Sequence, residues 1–119
     1  MWICSTIGTF SVVKKDASDE FLTIRARRLV DLQRLKKLWL PTLKIESTDP
    51  STTTDYPFRG TAGIVPTSNA IGNMVCAIDY NNFKNRAKEV QGDDVGGIYL
   101  NVWRDLIALE HPPSSQRTE

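Results

Sequence analysis

The feature that most constrains this chain is a change of hydrophobic period within twenty residues. From Phe21 to Arg28 the residues alternate, with Leu22, Ile24 and Ala26 on one side and Thr23, Arg25 and Arg27 on the other. That is the period of a half-buried strand. From Leu29 to Leu40 the spacing turns helical. Leu29, Leu32, Leu35 and Trp39 share one side, Asp31, Arg34 and Lys37 lie largely opposite, and Pro41 ends the run. A strand feeding straight into an amphipathic helix points to an α+β chain in which the helix packs on a sheet.

The remaining segments extend the pattern. Residues 9–15, around Ser11, Val12 and Val13, read as a strand, and the acidic run Asp16 to Glu20 closes a hairpin to the next strand, 21–28. Strands are also expected over 42–47 and 56–65, with Tyr56, Phe58, Ala62 and Ile64 on one parity. Between them, Ser47 to Asp55 reads as a mobile loop. Helices are expected over 29–40, over 68–90 with a break at Asp79 to Asn82, and over 97–110; Thr67 or Ser68 would cap the second, and Gln91 to Gly97 would be a loop.

The order is ββαββα plus a C-terminal helix. It predicts a four-stranded antiparallel sheet with helices on one face, in spatial order 1-2-4-3, a permuted ferredoxin-like arrangement; a 1-2-3-4 meander is the alternative. The expected core is Leu22, Ile24, Leu32, Leu35, Phe58, Met74, Ile78, Val102 and Leu106.

At 119 residues, 40% hydrophobic and 24% charged, the chain reads as one α+β domain over 1–111 with a flexible tail, 112–119. The apolar stretch from Met1 to Val13 is broken by Ser5, Thr6, Thr9 and Ser11, which suits neither a signal peptide nor a membrane span. Cys4 and Cys76 read as free thiols of a cytoplasmic protein, Cys76 as a buried or half-buried apolar residue.

Several segments together resemble a group of small, uncharacterised bacterial single-domain proteins: Met1-Trp2, Phe10-Ser11-Val12-Val13, Ile24-Arg25-Ala26-Arg27, Asp55-Tyr56 with Arg59, Ile78-Asp79-Tyr80 with Asn82-Phe83-Lys84, and Val102-Trp103. The resemblance spans nearly the whole chain and implies a bacterial origin. It carries no activity with it.

Charge is distributed unevenly. Lys14 to Lys44 holds nine lysines and arginines against four acids, +5, while the remainder holds six against ten, −4, leaving the net +1. Strand parity gathers Lys15, Arg25, Arg27, Lys44 and Arg59 on the sheet face away from the apolar set, offset there only by Glu46. Neighbouring guanidinium groups bind phosphates or carboxylates bidentately and concentrate anions. Arg25, Arg27, Lys44 and Arg59 are therefore the candidate ligand-binding residues, for an acidic protein surface or nucleic acid. The competing reading is a solvated face whose arginines pair with acidic helices. Tyr56 and Phe58 fall on the opposite parity, so the aromatics of a base-stacking sheet are missing unless a bulge at Pro57 or Gly60 turns them.

Other polar clusters read as structural. Asp79 to Lys84 suits a helix join with Tyr80 and Phe83 as anchors. Asp93 and Asp94 suit the N-terminal dipole of the last helix better than a metal site. His111, the only histidine, has no sequence partner for a dyad with either cysteine, and Gly60 to Gly63 lacks the Lys of a phosphate loop. No catalytic residue, metal or cofactor is therefore assigned, and a non-enzymatic binding or regulatory module ranks first. A self-associating subunit comes second, favoured by three tryptophans, and an enzyme third.

Overall fold

The computed structural model describes residues 1–46 and 55–111. The loop expected over 47–54 and the tail expected over 112–119 lie outside the described residues.

The chain opens with a hairpin that the sequence did not announce. β1 (Trp2–Ser5) and β2 (Gly8–Val13) pair antiparallel, Ser5 opposite Gly8. The turn Thr6-Ile7 carries none of the Asn-Gly chemistry that marks a tight hairpin. The Ser5 hydroxyl supports it instead, donating to the Gly8 carbonyl at 2.7 Å and accepting from the Ile7 amide. A side chain at position 8 would also collide with Asp31, because a Cβ there falls 2.6 Å from its Cγ.

β3 (Phe21–Ala26) continues the sheet beside β2, and α1 (Leu29–Leu38) follows at once. β4 is only Lys44–Ile45, while β5 (Phe58–Gly63) inserts between β3 and β4. The sheet is antiparallel throughout, in the order β1-β2-β3-β5-β4. Five strands replace the four expected, because β1 adds an edge. The sheet is not assigned to the ferredoxin-like class.

Alternation sends Phe10, Val12, Ile24, Ala26 and Ala62 to one face, where they are buried with Leu32, Leu35, Leu40, Leu43 and Ala70. α1 and α2 (Ile64–Cys76) cover this face. α2 starts earlier than expected, at Ile64. Pro66 sits in its first turn, where a missing N–H costs nothing, and the Thr67 and Ser68 hydroxyls donate back to the Gly63 and Ile64 carbonyls rather than capping it.

α3 (Phe83–Gln91) begins at Asn82, whose side chain accepts from the Asn85 amide. The expected break is thus a helix join. Only Gly92 then separates α3 from α4 (Asp93–Leu106), and a 3-10 turn, Ile107–Glu110, extends α4. The expected loop from Gln91 to Gly97 shrinks to that one glycine at φ 99°, a conformation L-residues avoid. Asp93 and Asp94 occupy the first turn of α4, favourable for its dipole.

The expectation of helices on one face holds for α1 and α2. α4 instead meets β2 at Thr9, a residue of the opposite parity, through a 2.7 Å hydrogen bond to the Tyr99 hydroxyl. The expected core needs a matching correction. Leu22, Phe58 and Met74 pack on the core only partly buried, whereas Ile78, Val102 and Leu106 are exposed. Of the α4 stripe only Tyr99 is buried. No helix among the described residues is long and apolar enough to cross a membrane.

Candidate functional site

The face opposite the core is organised in cross-strand rows. Trp2, Ser11, Arg25 and Arg59 stand side by side across β1, β2, β3 and β5. Val13, Thr23, Thr61 and Lys44 form the next row on the same face. Arg25 and Arg59 are thus direct cross-strand neighbours of like charge, an arrangement that costs stability unless something neutralises it.

Their surroundings do not supply that neutralisation. Arg25 donates from Nη2 to the Ser11 hydroxyl at 2.8 Å, and Ser11 is itself buried. The Nε atoms of Arg25 and Arg59 are both buried without an acceptor among the described residues. Among the described residues no carboxylate lies within ion-pair distance of Arg25, Arg27, Arg59 or Lys44. Glu46 approaches Arg59 through the backbone, its amide donating to the Arg59 carbonyl.

Tyr56 completes the cluster. The guanidinium carbons of Arg25 and Arg27 lie 4.8 and 4.9 Å from its ring centroid, within cation-π range, and Arg27 also donates to the Asp55 carbonyl. Phe58 keeps the core parity expected of it, but Tyr56 does not share its strand. β5 starts only at Phe58, after Pro57, which frees Tyr56 to turn toward the arginines. The structure therefore brings Arg25, Arg27 and Arg59 together, adds Tyr56, and sets Lys44 one row away, exposed. Lys15 falls beyond the end of β2.

A cleft of about 480 Å³ adjoins the cluster, with Arg27 and Tyr56 on one side and Trp2, Ile98 and Val102 on the other. Its floor is a polar network. Asp31, only 3% exposed, takes a 2.6 Å ion pair from Arg28 and a hydrogen bond from the Thr9 amide. Arg28 also donates to Gln91, whose amide group reaches the Ser5 and Thr6 carbonyls. The sequence placed Asp31 on the outer side of α1. Its burial is compensated because the Arg28 guanidinium and the Thr9 backbone amide converge on it. Burial also pushes the Tyr99 phenol above its usual 10.0, partly opposed by its hydrogen bonds to Thr9 and Gln91.

The other clusters stay local. Asp79 pairs with Arg86 across the α2–α3 join, and Tyr80 and Phe83 are half-buried, their rings 6.4 Å apart. Cys4 and Cys76 are free and exposed, which corrects the buried position expected for Cys76. No family model, curated protein or solved structure matches the chain.

Proposed function

We propose that this protein is a small binding module whose cationic sheet face, Arg25, Arg27 and Arg59 with Lys44 beside them, takes an anionic partner. One observation carries the reading: two arginines held in cross-strand register, each with a buried Nε and no acceptor for it. Buried donors without acceptors are rare because each costs desolvation free energy. A phosphate or carboxylate oxygen bridging the pair would supply the acceptor and remove the like-charge repulsion together. The competing reading, in which these arginines pair with acidic helices, draws no support, since the ion pairs among the described residues use Arg28, Arg86 and Lys88 instead.

Fluorescence anisotropy against a labelled single-stranded oligonucleotide and a labelled acidic peptide tests the reading. Wild-type protein should bind at least one of them, with affinity falling as salt rises. Arg25→Ser with Arg27→Ser should weaken that binding roughly tenfold or more, as loss of charge-assisted contacts does. Arg27→Ser alone should leave stability unchanged, whereas Arg25→Ser should cost about 1 kcal/mol through the lost Ser11 bond. Salt-independent binding, or equal affinity in the double variant, would rule the face out.

A further inference from the structure

The amphipathic stripe of α4 is present but covers almost nothing within the chain. Trp103, Leu106 and Leu109 are 53%, 55% and 73% exposed, Ile98 and Ile107 are exposed as well, and Trp2 at the β1 edge beside them is 79% exposed. Val102 and Cys4 border both the cleft that holds Trp2 and Ile98 and the groove that holds Trp103 and Leu106, so these side chains form one surface, and Ile107 and Leu109 follow Leu106 in the chain. We infer that this surface, the apolar face of α4 with Trp2, is a two-fold interface with a second copy of the chain.

Three observations choose that occupant. First, the segments outside the described residues offer an apolar patch little: 47–54 reads Ser-Thr-Asp-Pro-Ser-Thr-Thr-Thr and 112–119 reads Pro-Pro-Ser-Ser-Gln-Arg-Thr-Glu, with no aliphatic or aromatic side chain beyond proline. Second, the charges around the patch complement themselves. α3 carries Lys84, Arg86 and Lys88 against Glu89, while α4 and its 3-10 extension carry Asp93, Asp94, Asp105 and Glu110 against Arg104; Arg86 and Lys88 already pair within the chain, whereas Lys84, Asp94, Asp105 and Glu110 enter no ion pair among the described residues. A two-fold axis sets the basic helix of one copy against the acidic helix of the other, and a net charge of +1 adds little repulsion. A lipid surface fits less well, because an interfacial helix carries lysines and arginines on its polar face, where α4 carries mainly acids.

Third, the area is of the right order. Weighted by exposure, at roughly 150–250 Å² for an aromatic side chain and less for an aliphatic one, the six exposed residues present on the order of 700 Å² of apolar surface per copy. A stable interface buries about 800 Å² per partner. β1, whose outer edge has no neighbour among the described strands, continues the same surface and can lengthen the contact.

Sedimentation velocity on the full chain, from low to several hundred micromolar, tests the inference. The wild type should shift with concentration toward twice its 13.4 kDa mass, with tryptophan emission moving to shorter wavelength as Trp2 and Trp103 leave water. Leu106→Glu and Leu109→Glu, each at an exposed position, should keep the wild-type circular dichroism and melting temperature. Each should weaken association about tenfold or more, because a charge in an apolar contact is left without a partner. Arg59→Ser, at a position that lines neither the cleft nor the groove, should associate as wild type, which separates this surface from the sheet face. Wild-type protein that stays at the single-chain mass throughout, variants that associate like wild type, or a monomer that co-floats with lipid vesicles would each overturn the inference.

Discussion

Tyr99 shows how one side chain ties the helical hairpin to the sheet. Its hydroxyl meets Thr9 Oγ1 at 2.7 Å and the Ser5 carbonyl at 3.2 Å, while its ring stacks on Phe83 with centroids 5.1 Å apart. Burial raises its ionisation point above 10.0 in the folded chain. Below that value both states keep the proton, and stability gains no pH dependence from this residue. Above it the unfolded chain releases the proton more readily, so the stabilisation is lost as pH climbs through the raised value. Urea midpoints measured from neutral to strongly alkaline pH should therefore fall more steeply for wild type than for Tyr99→Phe, and the gap between the two should narrow. Parallel curves would show that Tyr99 ionises as freely in the folded chain as in the unfolded one. At the same scale, Asp31 and Gly8 depend on each other: the carboxylate occupies the space a Cβ would need.

The elements divide by what their pattern can specify. Leu32, Leu35 and Ile24 are buried as the periods of α1 and β3 dictate because the core lies beneath them, whereas Leu29 of the α1 stripe is exposed and the outward positions Asp31 and Thr23 are buried. Leu32 has no exposed surface, so Leu32→Ala should cost about 2–5 kcal/mol in chemical denaturation. A change below ~0.5 kcal/mol would mean that α1 presents another face. α4 has an equally clear stripe, yet periodicity states only that a face is apolar and not what covers it. That is why Val102 and Leu106 were read as core and are exposed. β1 escaped notice because its turn works through the Ser5 hydroxyl rather than through glycine or asparagine, and the start of α4 because one glycine replaces an expected loop. The site was legible to the same depth. Alternation alone put Arg25 and Arg59 on one face, but their direct pairing depends on strand register and Tyr56 on where Pro57 lets β5 begin, which no parity count contains.

At the scale of the whole molecule, the sheet face away from the core carries two adjoining surfaces of different chemistry. One carries arginines whose charge the described residues leave uncompensated; the other is an apolar helix standing on a polar network that runs from Asp31 through Arg28 and Gln91 to the β1–β2 turn. Arg25, Arg27 and Lys44 of the basic first third meet Arg59 of the acidic remainder on the cationic face, and part of the remainder's acid lies in α4. The central claim is that the cationic face holds an anion between Arg25 and Arg59. Its most direct test is a titration of isotope-labelled protein with a short polyphosphate, followed through the arginine Nε–H resonances, since those two donors are buried and lack acceptors. The account predicts that the Arg25 and Arg59 signals shift together, saturably, and less so as salt is raised. Signals from this pair that stay fixed while lysine or other arginine resonances move would contradict it.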